Sequence, residues 1–79
     1  MDRFGEKLRA LRNRGGLTLA DLASRLGYHT HSYLSEVESG KKAPTTELVV
    51  KVAREFGVTT DELLKDELDV NHQGDDHGA

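Results

Sequence analysis

The sequence lacks most of the groups that stabilise very small domains. Its 79 residues include no cysteine, no tryptophan, one proline and only four aromatic side chains. Without cysteine there is neither a disulfide nor a CxxC pair for zinc, so apolar packing must stabilise the fold. The scarcity of aromatic residues disfavours a β-sandwich and favours a compact helical domain. We expect these residues to form one small domain, because each domain needs roughly 50 residues or more.

Long hydrophobic runs are also missing. No window approaches the roughly 20 apolar residues that span a bilayer, and the N-terminal stretch DRFGEKLRALRNR lacks the apolar core of an export signal. We therefore expect a cytoplasmic protein with no membrane partner.

The chain has no excess of basic residues. Its formal net charge of -3 argues against a nucleic-acid partner. However, residues 1–42 contain eight Lys and Arg against five Asp and Glu, whereas residues 43–79 contain three against nine. The first part can therefore face phosphate groups while the second part repels them.

Apolar periodicity and capping residues predict five helices. Phe4, Leu8 and Leu11 recur on one face of the first, which ends at Gly15-Gly16. The others are expected from Thr18 to Leu26, from Thr30 to Ser39, from Pro44-Thr45 to Phe56, and from Thr59 through Leu63, Leu64 and Leu68. Thr18 with Asp21, and Thr59 with Glu62, have the spacing of capping boxes.

The helices are joined by short connections, which indicates one domain over residues 1–70. From Asn71 onward, NHQGDDHGA has no apolar residue except the terminal Ala79. We expect residues 71–79 to form a disordered polar tail.

The third predicted helix has an outward face of small polar residues. At 100° per residue, Val37 and Glu38 fall near Leu34 on the inner side, and the far side carries Ser32, Ser35, Glu36 and Ser39. Serine weakens a helix, so its repetition favours a functional reason over a merely solvated face. A helix, a short turn with glycine and a second helix of this kind is typical of major-groove binding.

Three consecutive segments resemble the Cro/phage-repressor (XRE-type) helix-turn-helix family: GLTLADLASRLG, SYLSEVESGKKAP and LVVKVAREFGVTTDELL. The opening FGEKLRALRNRGG is similar to the first helix of that family, so the resemblance covers about Phe4 to Leu64. It implies an all-α, compact five-helix, lambda-repressor-like DNA-binding domain without a cofactor. It also implies a transcriptional regulator, expected to be a repressor, that binds double-stranded DNA as a homodimer on an inverted repeat.

The resemblance assigns base contacts to the start of the third helix and to positions one helical turn further along it. These residues are His31, Ser32, Ser35 and Glu36. Histidine can donate to a purine, serine can donate or accept, and Glu36 can accept from the amino group of cytosine. Glu36 could equally serve as a negative charge that rejects unwanted sequences, or face solvent.

The positions expected to contact phosphates by the same resemblance are Arg12, Arg14, Thr18, Thr30, Tyr33, Ser39, Lys41 and Lys42. Thr30 is expected to cap the third helix, and Tyr33 to pack its ring while its hydroxyl touches the DNA backbone. Glu38 should form a structural salt bridge with Arg12. Leu64, Leu68 and Val70 are expected at a dimer interface.

Two departures from the family pattern affect these assignments. The turn Tyr28-His29-Thr30-His31 is one residue longer than usual, which leaves open whether His29, His31 or Ser32 contacts a base. Leu19 stands where the family often has a glutamine that contacts the DNA backbone, so one contact is expected to be missing.

Other classes of function find less support in the sequence. No HExxH, Gly-rich phosphate loop or Ser/His/Asp set is present, so an enzyme is not expected. His29 with His31, or His72 and His77 with Asp75 and Asp76, could bind a metal only weakly. An antitoxin-like or partner-controlled interaction module with the same fold is the alternative that the sequence leaves open.

Overall fold

The computed structural model describes residues 3–70, which form five α-helices and contain no strand. The helices are α1 (Phe4–Arg14), α2 (Leu19–Leu26), α3 (Ser32–Glu38), α4 (Thr46–Phe56) and α5 (Thr60–Leu64). The prediction of an all-α, five-helix fold is thus confirmed. None of these helices has both the length and the apolar character that crossing a bilayer requires. The expected tail, residues 71–79, lies outside the described residues, as do Met1 and Asp2.

The predicted capping boxes begin α2 and α5. The Thr18 hydroxyl accepts from the Asp21 N–H at 3.0 Å, and the Asp21 carboxylate accepts from the Thr18 N–H at 3.0 Å. The bond from the Thr18 backbone lowers the pKa of Asp21. Thr59 and Glu62 make the same reciprocal pair at 2.9 and 2.8 Å. Both boxes confirm the prediction, and each satisfies amides that a helix start leaves without partners.

The apolar core collects residues from all five helices. Its fully buried side chains include Phe4 and Leu8 of α1, Leu22 of α2, Leu34 of α3, Leu48 and Val52 of α4, and Leu63 of α5. These are the inward positions that the 3.6-residue period predicts for amphipathic helices. The core therefore fixes the rotation of each helix, including the face that α3 turns outward.

Helices α1 and α3 approach closely at Gly5. A Cβ atom on Gly5 would lie 2.9 Å from the carbonyl oxygen of Glu38 and closer still to that of Val37. Real Cβ atoms essentially never come so near. The absence of a side chain at Gly5 thus allows the backbone of α3 to pack directly against α1.

The beginning of α3 differs from the prediction. We expected the helix from Thr30, with Thr30 as its cap, but it begins at Ser32 and His31 is the capping residue. No side chain caps this end, and the first helical bond runs from the Ser35 N–H to the His31 carbonyl at 2.9 Å. Thr30 is therefore not a cap, because it lies one residue too early along the longer turn.

The end of α5 is also a correction, because Leu68 lies outside the helix. After Leu64 the chain becomes extended at Lys65, with φ -89° and ψ 117°. Asp66 and Glu67 would put negative charge at the negative end of the helix dipole, which disfavours further helical turns.

Residues 65–70, which we call the C-terminal segment, lie along α1 instead. The buried Lys7 ammonium donates to the carbonyls of Glu62 at 2.5 Å and Lys65 at 2.7 Å. The Arg14 guanidinium donates to the carbonyl of Val70 at 3.1 Å. Basic side chains of α1 thereby hold the main chain of this segment.

Candidate nucleic-acid interface

Helix α3 has two chemically different faces. Leu34, Val37 and Glu38 are buried, whereas Ser32 and Ser35 are exposed and Glu36 is half-buried. The two faces fall where the helical period places them. The outer face contains no large apolar side chain, so it can approach another surface closely and offer hydroxyl and carboxylate groups to it.

The buried carboxylate of Glu38 joins α3 to α1. Its side chain is 1% exposed and accepts from Arg12 Nε at 2.8 Å and Arg12 NH2 at 3.1 Å, a two-point ion pair. Arg9 Nε adds a third bond at 3.2 Å. The hydrogen bond to Glu38 raises the pKa of Arg12. The structure thus contains the expected bridge, together with Arg9, which the sequence analysis missed.

Two tyrosines join the start of α3 to α4. The Tyr33 hydroxyl accepts from the Thr45 N–H at 3.0 Å, and its ring lies 5.8 Å from that of Tyr28. The Lys51 ammonium lies 4.5 Å from the centre of the Tyr28 ring, a cation–π contact. Tyr33 packs its ring as expected, but its hydroxyl bonds the protein main chain. Tyr28, absent from the predicted site, fixes the longer turn.

The turn after α3 folds back over the helix. Gly40 has φ +86°, and the Glu36 carbonyl accepts from the Lys41 N–H at 2.9 Å and the Lys42 N–H at 3.2 Å. The Ser39 hydroxyl donates to the same carbonyl at 3.0 Å. This left-handed glycine end of the helix ties the main chain of both lysines to Glu36.

The two lysines of this turn differ in their surroundings. Lys42 Nζ lies 3.4 Å from the Glu36 carboxylate, whereas Lys41 makes no ion pair within residues 3–70. Both side chains are exposed. Lys41 thus presents a whole positive charge, and Lys42 presents one that Glu36 partly neutralises.

The other predicted base-contacting residue, His31, lies in an open groove between α2 and the turn that precedes α3. The groove is lined by Ala20, Ala23, Ser24, Gly27, Tyr28, His29, Thr30 and His31. His29, Thr30 and His31 are all exposed, so the structure leaves them accessible beside Ser32. Across the part of the chain that the structure describes, no three His, Cys, Asp or Glu side chains gather as a metal site would require.

Arg12 and Arg14, the residues of α1 that are expected to contact phosphates, also make bonds within the domain. Arg12 uses Nε and NH2 for Glu38 and donates NH1 to the Leu17 carbonyl at 2.9 Å, which leaves little of the guanidinium for a phosphate. Arg14 donates to Val70 on the C-terminal segment. Most cations of α1 are therefore engaged within the domain.

Thr18 is exposed at the start of α2, with its amide and hydroxyl inside the capping box.

The expected dimer residues have unequal exposure. Leu68 is 36% exposed and Leu64 is half-buried against the core. Val70 is only 4% exposed and belongs to the core, because the C-terminal segment turns it inward. The assignment of Val70 to a dimer surface is thus wrong.

A family model and individual relatives both identify a helix-turn-helix domain in this chain. A family model described as helix-turn-helix matches residues 8–63. The chain is 42% identical over 64 residues to the HTH-type transcriptional activator BcrR of Enterococcus faecalis, covering 81% of this chain and 31% of that protein. It is 37% identical over 60 residues to the HTH-type transcriptional regulator DdrOP3 of Deinococcus deserti, covering 76% of this chain and 46% of that protein. The chain spans less than half of either relative.

Proposed function

Because the chain belongs to the helix-turn-helix family, we propose that it binds double-stranded DNA as a transcriptional regulator, with α3 in the major groove. One observation supports this above all: the outer face of α3 is small and polar while its inner face is fixed by Leu34, Val37 and Glu38. A rigidly held helix of this kind can enter a groove about 12 Å wide.

In this proposal the base contacts come from His31, Ser32, Ser35 and Glu36. They lie at the start and along the outer face of α3, where the geometry of helix-turn-helix binding places base edges. His31 donates to a purine N7 or O6, the serines donate or accept, and Glu36 accepts from an exocyclic amino group.

Lys41 is the leading phosphate contact. It is exposed and free of carboxylate partners within the described residues, so it can neutralise a phosphate in full. The other proposed phosphate contacts are the amides near Thr18, Thr30 in the turn before α3, and Ser39 and Lys42 in the turn after it, all of them at exposed positions. Such contacts fix the position of the protein on the duplex without selecting a sequence.

We further propose that two copies bind an inverted repeat. Leu68 and Leu64 supply apolar surface for a two-fold contact, and the half-sites would then lie about 34 Å apart. Sedimentation should show a dimer at high concentration, and Leu68→Lys should dissociate it and weaken binding to a palindrome. A chain that stays monomeric, or a Leu68→Lys variant that binds the palindrome normally, would contradict this part.

Repression is the proposed direction of regulation, and the cytoplasm is the proposed location. A domain that occupies promoter DNA blocks polymerase without any further contact. In vitro transcription from a promoter that contains the selected site should fall as the protein is added. A rise would show activation instead, the role that the name of the Enterococcus faecalis relative states for that protein.

The test of DNA binding begins with selection from a random duplex pool, followed by affinity measurements over a range of salt concentrations. Specific binding should weaken steeply with salt, and Lys41→Ala should flatten the logarithmic slope by about one on every sequence. The His31→Ala/Ser32→Ala double variant should change the preferred sequence, by roughly 1 to 3 kcal/mol per contact.

An unchanged preference in the double variant would show that His31 and Ser32 do not contact the bases that determine the preferred sequence. A folded protein that enriches no sequence and binds no duplex at low salt would contradict DNA binding altogether and favour the protein-interaction module.

A further inference from the structure

Glu36 and Lys42 form an ion pair at the edge of the proposed DNA-binding face. Lys42 Nζ lies 3.4 Å from Glu36 Oε1, and both side chains are partly exposed. Their main chains are tied together as well, because the Lys42 N–H donates to the Glu36 carbonyl. The turn therefore keeps this lysine within reach of this carboxylate, whatever the two side chains do.

This pair changes the charge that a phosphate meets. A lysine beside a carboxylate attracts a phosphate less than a free lysine does, because the carboxylate repels the same phosphate. The carboxylate of Glu36 is acceptor-only, and many atoms of the major-groove edge are acceptors too. Where Glu36 faces a guanine or a thymine, whose major-groove edges offer it only acceptors, Glu36 therefore gains nothing from the base and stays with Lys42.

We propose that Glu36 acts as a specificity-determining residue that withholds Lys42 from phosphates unless a base donates to the carboxylate. A cytosine N4 or adenine N6 amino group opposite Glu36 supplies such a donor. Glu36 then bonds the base and Lys42 turns to a phosphate. The protein thereby couples a base contact to a phosphate contact, so a suitable site gains both while other DNA gains neither.

This inference rests on the proposed function and adds a measurable consequence to it. Release of one lysine to a phosphate steepens the logarithmic salt dependence by about 0.9. The slope should therefore be steeper on a preferred site than on a scrambled duplex, and the difference should equal the contribution of about 0.9 from Lys42. Over a fourfold change in salt concentration, the contribution of Lys42 to the slope corresponds to about a threefold change in affinity.

The experiment compares Lys42→Ala in two backgrounds, wild type and Glu36→Gln. On a scrambled duplex, Lys42→Ala should hardly change the slope of the wild type. Glu36→Gln alone should strengthen binding and steepen the slope by about 0.9, and adding Lys42→Ala should remove that gain. On the selected site, Lys42→Ala should flatten the wild-type slope by about 0.9.

Lys41 provides the matched control, since it lies in the same turn without an ion pair in residues 3–70. Lys41→Ala should flatten the slope by about 0.9 on both duplexes and in both backgrounds. Circular dichroism and thermal melting verify that each variant is folded. Glu36→Ala serves as a second variant in case the glutamine retains a bond to Lys42.

The outcomes separate the two proposals. If Lys42→Ala flattens the slope on a scrambled duplex equally with and without Glu36, the coupling is refuted while DNA binding stands. If the folded wild-type protein binds neither duplex, and Lys41→Ala consequently has no slope to change, the proposed function itself fails.

Discussion

Helix α1 uses basic side chains on two opposite sides, and it uses them differently. On one side Gly5, Arg9 and Arg12 face α3, where the arginines bond the Glu38 carboxylate. On the other, about 160° away around the helix, Lys7 and Arg14 bond main-chain carbonyls.

The difference separates two structural tasks. A two-point bond between a guanidinium and a carboxylate is directional, so it fixes the rotation of α3 as well as its distance from α1. An ammonium that bonds carbonyls holds the main chain, and this bond does not depend on which side chains the bonded residues carry. The α3 side therefore determines where the proposed recognition face points, and the opposite side determines where the C-terminal segment runs.

The largest effect is expected on the α3 side, from Arg12→Met. It leaves the buried Glu38 carboxylate with Arg9 alone and should lower the free energy of unfolding by about 3 kcal/mol in urea titrations. Arg9→Met is the control, and should cost less than about 1 kcal/mol because Arg9 is largely exposed. Equal losses in the two variants would show that Glu38 does not depend on Arg12 in particular.

Gly5→Ala tests the same side through shape alone. Alanine favours a helix over glycine by about 1 kcal/mol, but its Cβ would overlap the α3 carbonyls, and we expect a net loss of about 2 kcal/mol. Gly15→Ala is the matched control, because its Cβ would meet only ordinary contacts at 3.6 Å or more. Thermal melting should show that Gly5→Ala is destabilised and that Gly15→Ala is not. Equal melting temperatures would mean that α1 and α3 can move apart without loss of stability.

Lys7→Met addresses the opposite side. It keeps the buried apolar stem but removes two charge-assisted bonds, and should cost about 1.5 kcal/mol after relief of burying an ammonium. Hydrogen exchange should quicken in residues 65–70 while the preferred DNA sequence stays the same. Lys65→Met, at an exposed position, is the control and should neither lower the stability nor quicken the exchange. A changed DNA preference in Lys7→Met would show that the two sides of α1 are not independent.

The smallest effect is expected from Arg3→Gln. Arg3 bonds the Asp66 carbonyl and the exposed carboxylates of Glu6 and Asp69, and the bonds to Glu6 and Asp69 raise the pKa of Arg3. Salt screens such exposed pairs. The melting temperature of the variant should therefore fall slightly at low salt and match the wild type at high salt, whereas the loss in Lys7→Met should persist. A loss in Arg3→Gln that persists at high salt would place Arg3 in the same class as Lys7.

The sequence predicts the fold where local chemistry decides it. Both capping boxes, the apolar stripes and the helix-ending glycines act within a few residues, and α1, α2 and α4 agree with the expected helices. It fails at the start of α3, because the turn is held by Tyr28 and Tyr33 through contacts with α4. A local pattern does not contain such contacts.

The candidate site divides in the same way. Periodicity predicts which residues of α3 face outward, and family resemblance supplies the pairing of Glu38 with Arg12. The partners of Lys7 and Arg14 are carbonyls, which every residue has, so no residue type marks them. The inward turn of Val70 was missed for this reason.

Main-chain capture by Lys7 has a consequence for protein engineering. Its two bonds reach carbonyls of Glu62 and Lys65, and Arg14 reaches that of Val70, so the path of the C-terminal segment depends little on which side chains it displays between them. A label can thus be grafted at the exposed Glu67, which leaves in place Asp66 and Asp69, the partners of Arg3, and Leu68 of the proposed dimer surface. We expect such grafts to keep the same route along α1 without disturbing the face that α3 presents.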